Sequence, residues 1–200
     1  RLAPDLKVRT LDGISSLIRF DVRDVPTRAI ILGATLQFYG LAESNTNTMC
    51  LAAYPLLRPW DEARANWLQA GAADPWGAAG ASAVGIDRAP EHSGLRGLVQ
   101  GIERWYRLEI PQAVQKWVAY PERNHGLLLA GAGGTSKALS LASSDYGNPS
   151  LRPKLIVTYT LPSEIEPLPP GNALLAGRVL LEGRTNPPAP AWAMPITLTL

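Results

Sequence analysis

Ala29-Ile30-Ile31-Leu32-Gly33-Ala34-Thr35-Leu36-Gln37-Phe38-Tyr39 is the stretch on which the fold turns. Ala34, Leu36 and Phe38 fall on one side of it and Thr35, Gln37 and Tyr39 on the other, the period of a strand buried on one face. The same period precedes it at residues 16–22, where Ile18, Phe20 and Val22 oppose Arg19 and Asp21, and Asp24-Val25-Pro26-Thr27 makes the turn between. After the polar loop of residues 43–48, residues 49–56 form another apolar run of strand length. Further along, Trp105, Arg107 and Glu109 alternate with Tyr106, Leu108 and Ile110. Residues 127–130 and 137–143 continue the series around a Gly-rich hairpin loop at residues 131–135. In the last run, residues 154–160, Leu155, Val157 and Tyr159 alternate with Ile156, Thr158 and Thr160. One segment has the helical period instead: Pro111 opens it, and Val114, Trp117 and Val118 make an apolar stripe. At least seven strands and one short helix predict an all-β, jelly-roll-type β-sandwich over residues 1–160.

Composition narrows the possibilities. Eighteen Gly and eighteen Pro in 200 residues favour many short elements over long helices. No apolar run reaches the ~18 residues of a membrane span. A net charge of +2, with nineteen Lys and Arg against seventeen Asp and Glu, lacks the basic excess of a nucleic-acid binder. Cys50 is the only cysteine, so neither an internal disulfide nor a cysteine zinc site can form, and its apolar strand predicts a buried thiol. His92 and His125 are the only histidines, and both read as turn residues at the surface. Asp61 and Glu62 are adjacent in sequence, which does not suit the paired carboxylates of a glycosidase, and they read as caps of a turn neutralised by Arg58 or Arg64. With no acid–base pair to name, the reading is of a protein that is not an enzyme.

Two regions depart from the alternation. Residues 57–90 hold Trp60, Trp67 and Trp76 among many Ala and Gly, and read as a long ordered loop with one helical turn at residues 61–67. Residues 161–171 contain four Pro, the composition of a semi-rigid linker, and residues 172–200 read as the start of a second β module.

The order of motifs resembles the DNRLRE domain. The resemblance rests on residues 16–22, Ala34-Thr35-Leu36, Arg58-Pro59-Trp60-Asp61-Glu62 with Asn66-Trp67, and Ala113-Val114-Gln115-Lys116-Trp117-Val118. It continues through Asn124-His125-Gly126-Leu127-Leu128-Leu129, Ala142-Ser143-Ser144-Asp145-Tyr146 and Arg152-Pro153-Lys154-Leu155. The chain departs from that pattern at Leu108-Glu109-Ile110-Pro111, which lacks the usual Asp and Thr, and at His125, where tyrosine is common. The resemblance implies a module of a secreted or cell-surface protein. Because related domains are grouped as family 96 carbohydrate-binding modules, it also implies polysaccharide binding without catalysis.

Two functions follow as expectations. One is a monomeric, extracellular carbohydrate-binding module; the other is a structural spacer or adhesion domain with no small ligand. The excess of Arg over Lys favours a uronate-containing, acidic polysaccharide for the first, because guanidinium groups pair bidentately with carboxylates. The loop of residues 57–90 is the expected site. Trp76 is the expected exposed stacking platform, Arg58, Arg64 and Arg88 the carboxylate partners, and Trp105 and Tyr106 a further aromatic pair. Trp60 and Trp67 are expected to pin the loop to the sandwich. No cofactor is implied; Asp61, Glu62, Asp74 and Asp87 are the carboxylates from which a structural calcium would draw.

Overall fold

The computed structural model describes residues 3–11 and 13–162. The expected linker and second β module, at residues 161–171 and 172–200, lie outside the described residues except for Leu161 and Pro162. The chain order is β1 (Asp5–Arg9), β2 (Ser16–Ile18), β3 (Ile30–Glu43), β4 (Met49–Pro55), β5 (Gln69–Gly71), β6 (Asp74–Pro75), β7 (Gly94–Val99), β8 (Trp105–Glu109), α1 (Pro111–Ala119), β9 (Leu127–Ala132), β10 (Ala138–Ala142) and β11 (Lys154–Thr160). A five-stranded sheet has the order β1-β10-β3-β11, with β8 also paired to β3, and a four-stranded sheet has the order β2-β9-β4-β7. All of these pairings are antiparallel. The β-sandwich with one short α-helix is as the alternation predicts.

The inner faces of the two sheets meet in one core. Ala34, Leu36 and Phe38 of β3 pack with Leu108 of β8 from one sheet, and Leu51 of β4 with Leu127 and Leu129 of β9 from the other. Helix α1 closes this core with Val114, Trp117 and Val118, all buried, so its apolar stripe is used as the sequence indicates. Gln115, beside that stripe, bonds both the Ile31 amide and the Ala29 carbonyl and ties the helix to the start of β3.

Several expectations are corrected. The strand expected over residues 16–22 stops at Ile18, because the Phe20 carbonyl is taken by the Asn124 side chain instead of a neighbouring strand. Cys50 is half-buried rather than buried. His125 is half-buried, with its backbone carbonyl accepting from Trp60 Nε1 at 2.8 Å, whereas His92 is exposed as expected and meets Tyr54 edge-on. Strand β7 was not legible in the sequence; Gly94 and Gly97 break its pattern.

At the edge of the core, Lys137 is fully buried and donates to Glu43 Oε2 at 2.6 Å and to the Asn45 carbonyl. Glu43 also accepts from the Gly101 amide, so one carboxylate joins the end of β3 to two loops. The hydrogen bond from Lys137 holds the Glu43 carboxyl below its usual value.

Candidate functional site

Residues 57–90 are packed down as the tryptophans suggest, forming an ordered layer that also contains a short hairpin the composition does not announce. Asp61 starts a turn whose side chain accepts from the Ala63 amide, and β5 and β6 then form a short hairpin. Trp76, Leu56, Ala70 and Ala81 build a second small core against Leu128 of β9, with Leu17 of β2 and Tyr54 of β4 beside them. Leu17, Leu128 and Tyr54 are cross-strand partners on the outer face of the four-stranded sheet. That sheet is apolar on both sides, which is why Leu127-Leu128-Leu129 reads as an unbroken apolar run.

This packing removes most of the expected loop-end site. Trp76 is only 6% exposed, and its Nε1 donates to the Asn66 carbonyl at 2.9 Å; it is a core residue and no stacking platform. Arg58 lies over the Trp76 ring and donates to Asp74 and to the Pro75 carbonyl, so its guanidinium is already committed. Arg88 stacks on Tyr54 at 4.1 Å and donates to the Ala89 carbonyl. Arg64 stays largely exposed, 3.7 Å from Asp61. Neither Arg58 nor Arg88 is therefore a free partner for a sugar carboxylate.

Asp87 explains how the layer holds its shape. It is fully buried, and its carboxylate accepts from the amides of Gly77, Ala78 and Ala83 at 2.8, 3.0 and 3.2 Å, with Arg58 3.7 Å away. Charge-assisted bonds of this kind are about twice as strong as neutral ones. One carboxylate and three backbone donors thus steady the layer. Among the described residues, no group of three or more Asp, Glu, His or Cys is placed to hold a metal.

The other sheet has a different outer face. The register pairs Tyr39 with Trp105, Gln37 with Arg107 and Thr35 with Glu109. On the far side of β3, Lys154 pairs with Gln37 and Ile156 with Thr35. Strands sit ~4.8 Å apart and same-face residues ~6.8 Å apart along each strand, so these side chains make a grid. Its first row is aromatic: the Tyr39 and Trp105 rings meet edge-to-face with centroids 5.4 Å apart. Its second row is Arg107, Gln37, Lys154. Its third is Glu109, Thr35, Ile156, in which the Thr35 hydroxyl donates to the Glu109 carboxylate at 2.9 Å.

Electrostatics single out the second row. Lys154 extends across β3 to place its ammonium 4.7 Å from the Trp105 ring centre, a cation–π contact. Arg107 is exposed, and among the described residues neither it nor Lys154 has a carboxylate within 4.0 Å. Two cations thus flank one amide beside an aromatic pair, with no ion pair to either among the described residues and with the nearest carboxylate, Glu109, in the next row and bonded to Thr35.

Of the residues expected at the site, only Trp105 is found on this face. Tyr106 points the other way into the core, and its hydroxyl donates to the Gly101 carbonyl at 2.6 Å; burial pushes that phenol above its usual value. Tyr39, Gln37, Arg107 and Lys154 were missed as site residues. Their side of each strand was readable from alternation, but the register that makes them neighbours was not.

No protein-family model matches this chain, and no curated protein is significantly similar to it.

Proposed function

We propose that this domain is a non-catalytic carbohydrate-binding module that takes an acidic polysaccharide on the outer face of its five-stranded sheet. The observation that carries the reading is the row Arg107, Gln37, Lys154 beside the Tyr39 and Trp105 rings. Aromatic rings stack on the C–H face of a pyranose, the Gln37 amide can both donate and accept, and the guanidinium and ammonium, which form no ion pair among the described residues, match uronate carboxylates. An antiparallel sheet leaves such a row flat and open, which suits an extended chain better than a small molecule. The resemblance of the motif order to that of the DNRLRE domain supports the same reading, and with it a place in a secreted or cell-surface protein.

Affinity electrophoresis of the full chain tests it. Gels containing sodium polygalacturonate should retard the protein at low ionic strength, whereas hydroxyethyl cellulose should do so much less. The retardation should fade as salt shortens the Debye length from ~10 Å at ~0.1 M to ~3 Å at ~1 M. The double variant Arg107→Ala, Lys154→Ala should lose it. If no acidic polysaccharide retards the protein, the reading fails and a spacer domain takes its place.

A further inference from the structure

We infer that the cleft beside the Trp-rich layer is a second, separate site, for a neutral sugar chain. It rests on the proposed function only in taking a polysaccharide as the partner. The cleft measures about 860 Å³, within the ~300–1,000 Å³ usual for ligand sites. It is lined by Arg19 and Phe20 of the segment after β2, by Trp60, Glu62 and Trp67 of the layer, and by Ser144 and Asp145.

Trp67 is the central feature. It is 48% exposed, yet its ring is seated against the loop before β2, as its expected role of pinning the layer requires. The inner edge of the indole lies against Gly13 and Gly80, which have φ of +67° and +74°. A Cβ at Gly13 would stand 3.1 Å from the ring, and one at Gly80 would collide with it. Only glycine combines this backbone with that clearance. The Gly80 amide also donates to the Trp67 carbonyl at 2.6 Å. The indole N–H donates to no group among the described residues. A large ring held rigid by two loops, with one side open and a free donor, is a stacking platform that loses little entropy on binding.

The charges around it indicate which sugar. Arg23 is already held by Asp21, and Asp5 lies 3.6 Å from Lys7. Glu62 and Asp145 are exposed, with no cation within 4.0 Å among the described residues. Arg19, spread over the Trp60 ring at 5.7 Å, has no carboxylate partner within 4.0 Å among the described residues. A carboxylate accepts from a pair of neighbouring hydroxyls, and a guanidinium donates to another pair, so the hydroxyls of a neutral sugar chain suit all three groups. A uronate would bring its charge up to Glu62 and Asp145, and the cleft therefore selects against the ligand that suits the sheet face. One module would join two chemically different polysaccharides.

Titration calorimetry on the full chain, with neutral hexasaccharides of the gluco-, manno-, xylo- and galacto- types and with hexagalacturonate, decides the matter. At least one neutral hexamer should bind, with an affinity that salt leaves unchanged. Trp67→Ala should weaken it about ten-fold or more, as the loss of one stacked ring does. The surface double variant Glu62→Ala, Asp145→Ala, which touches no core residue, should weaken it too, while Trp105→Ala should not. Absence of binding by every neutral hexamer overturns the inference, as does binding that survives both sets of cleft variants. Loss of hexagalacturonate binding alone would instead overturn the reading of the sheet face.

Discussion

The two sheets of this sandwich share one core but treat their outer faces differently. Behind the four-stranded sheet, Leu17, Tyr54 and Leu128 face outward and are covered by the layer of residues 57–90. Behind the five-stranded sheet, Thr35, Gln37, Arg107 and Glu109 face outward and nothing among the described residues covers them. The difference follows from side-chain chemistry, because an antiparallel sheet needs a second apolar layer only where its second face is apolar. It also shows how tryptophan count misleads. Three tryptophans lie in the covering layer, where Trp76 is consumed as core, whereas the bare face displays one tryptophan and one tyrosine beside two cations that form no ion pair among the described residues.

Removing an aromatic from each region should separate covering from binding. The larger effect is expected from Trp76→Ala, which empties the centre of the small core and strips Arg58 of its ring contact. Truncations of buried aromatics cost ~3–5 kcal/mol, so chemical denaturation should show a loss of that order. The material that remains folded should bind polygalacturonate as the parent does. A Trp76→Ala protein of parental stability with impaired binding would reverse the assignment and return the site to the layer.

The fold was largely legible, and the site only in part, for one physical reason. Alternation is local: residues 34–39 announce by themselves that Gln37 and Tyr39 share a face, and residues 105–110 that Trp105 and Arg107 do. Register is not local. The pairing of β3 with β8 joins residues 66–74 positions apart, through Tyr39–Trp105 at one end and Thr35–Glu109 at the other, and no short stretch encodes it. No single strand read alone therefore shows the aromatic pair of the sheet face. Residues 57–90 misled differently. They lack long alternation, and Asp87, which organises the segment through three backbone amides, carries no pattern at all. Arg58 and Arg88 looked free for the same reason: their partners are carbonyls, a carboxylate and rings that only the folded chain brings to them.

Trp105→Ala is the counterpart on the bare face, and its effect should be smaller in stability and larger in binding. The ring is half-exposed and touches Tyr39 and Lys154 rather than the core. Stacking of one aromatic is worth ~1–3 kcal/mol, or roughly ten-fold or more in affinity. Gel retardation by polygalacturonate should fall accordingly, with the melting temperature shifted by no more than a few degrees. A large drop in melting temperature with retained binding would make Trp105 structural and sink its role as a platform.

The smallest effect concerns pH and again divides the two regions. His125 adjoins the covering layer, where its carbonyl receives the Trp60 N–H, and its imidazole is pushed below its ordinary value by burial and by the charge of Arg19. The folded chain thus binds this proton less readily than the unfolded chain does. Stability is fully present above the unfolded value of ~6.5 and is lost as pH falls from there toward the lower folded value. Asp21, lowered to about 2 by its hydrogen bonds from Arg23, and Glu43, lowered by Lys137, act in the same direction but in a separate window, below ~4. Between pH ~7.5 and ~5.5 the melting temperature should therefore fall slightly, on the order of 1–3 °C. His125→Gln should flatten that slope. The bare face contains no histidine, so polygalacturonate binding should hold steady across the same interval. A binding curve that tracks the titration of His125 would mean that the acidic ligand sits at the covering layer after all.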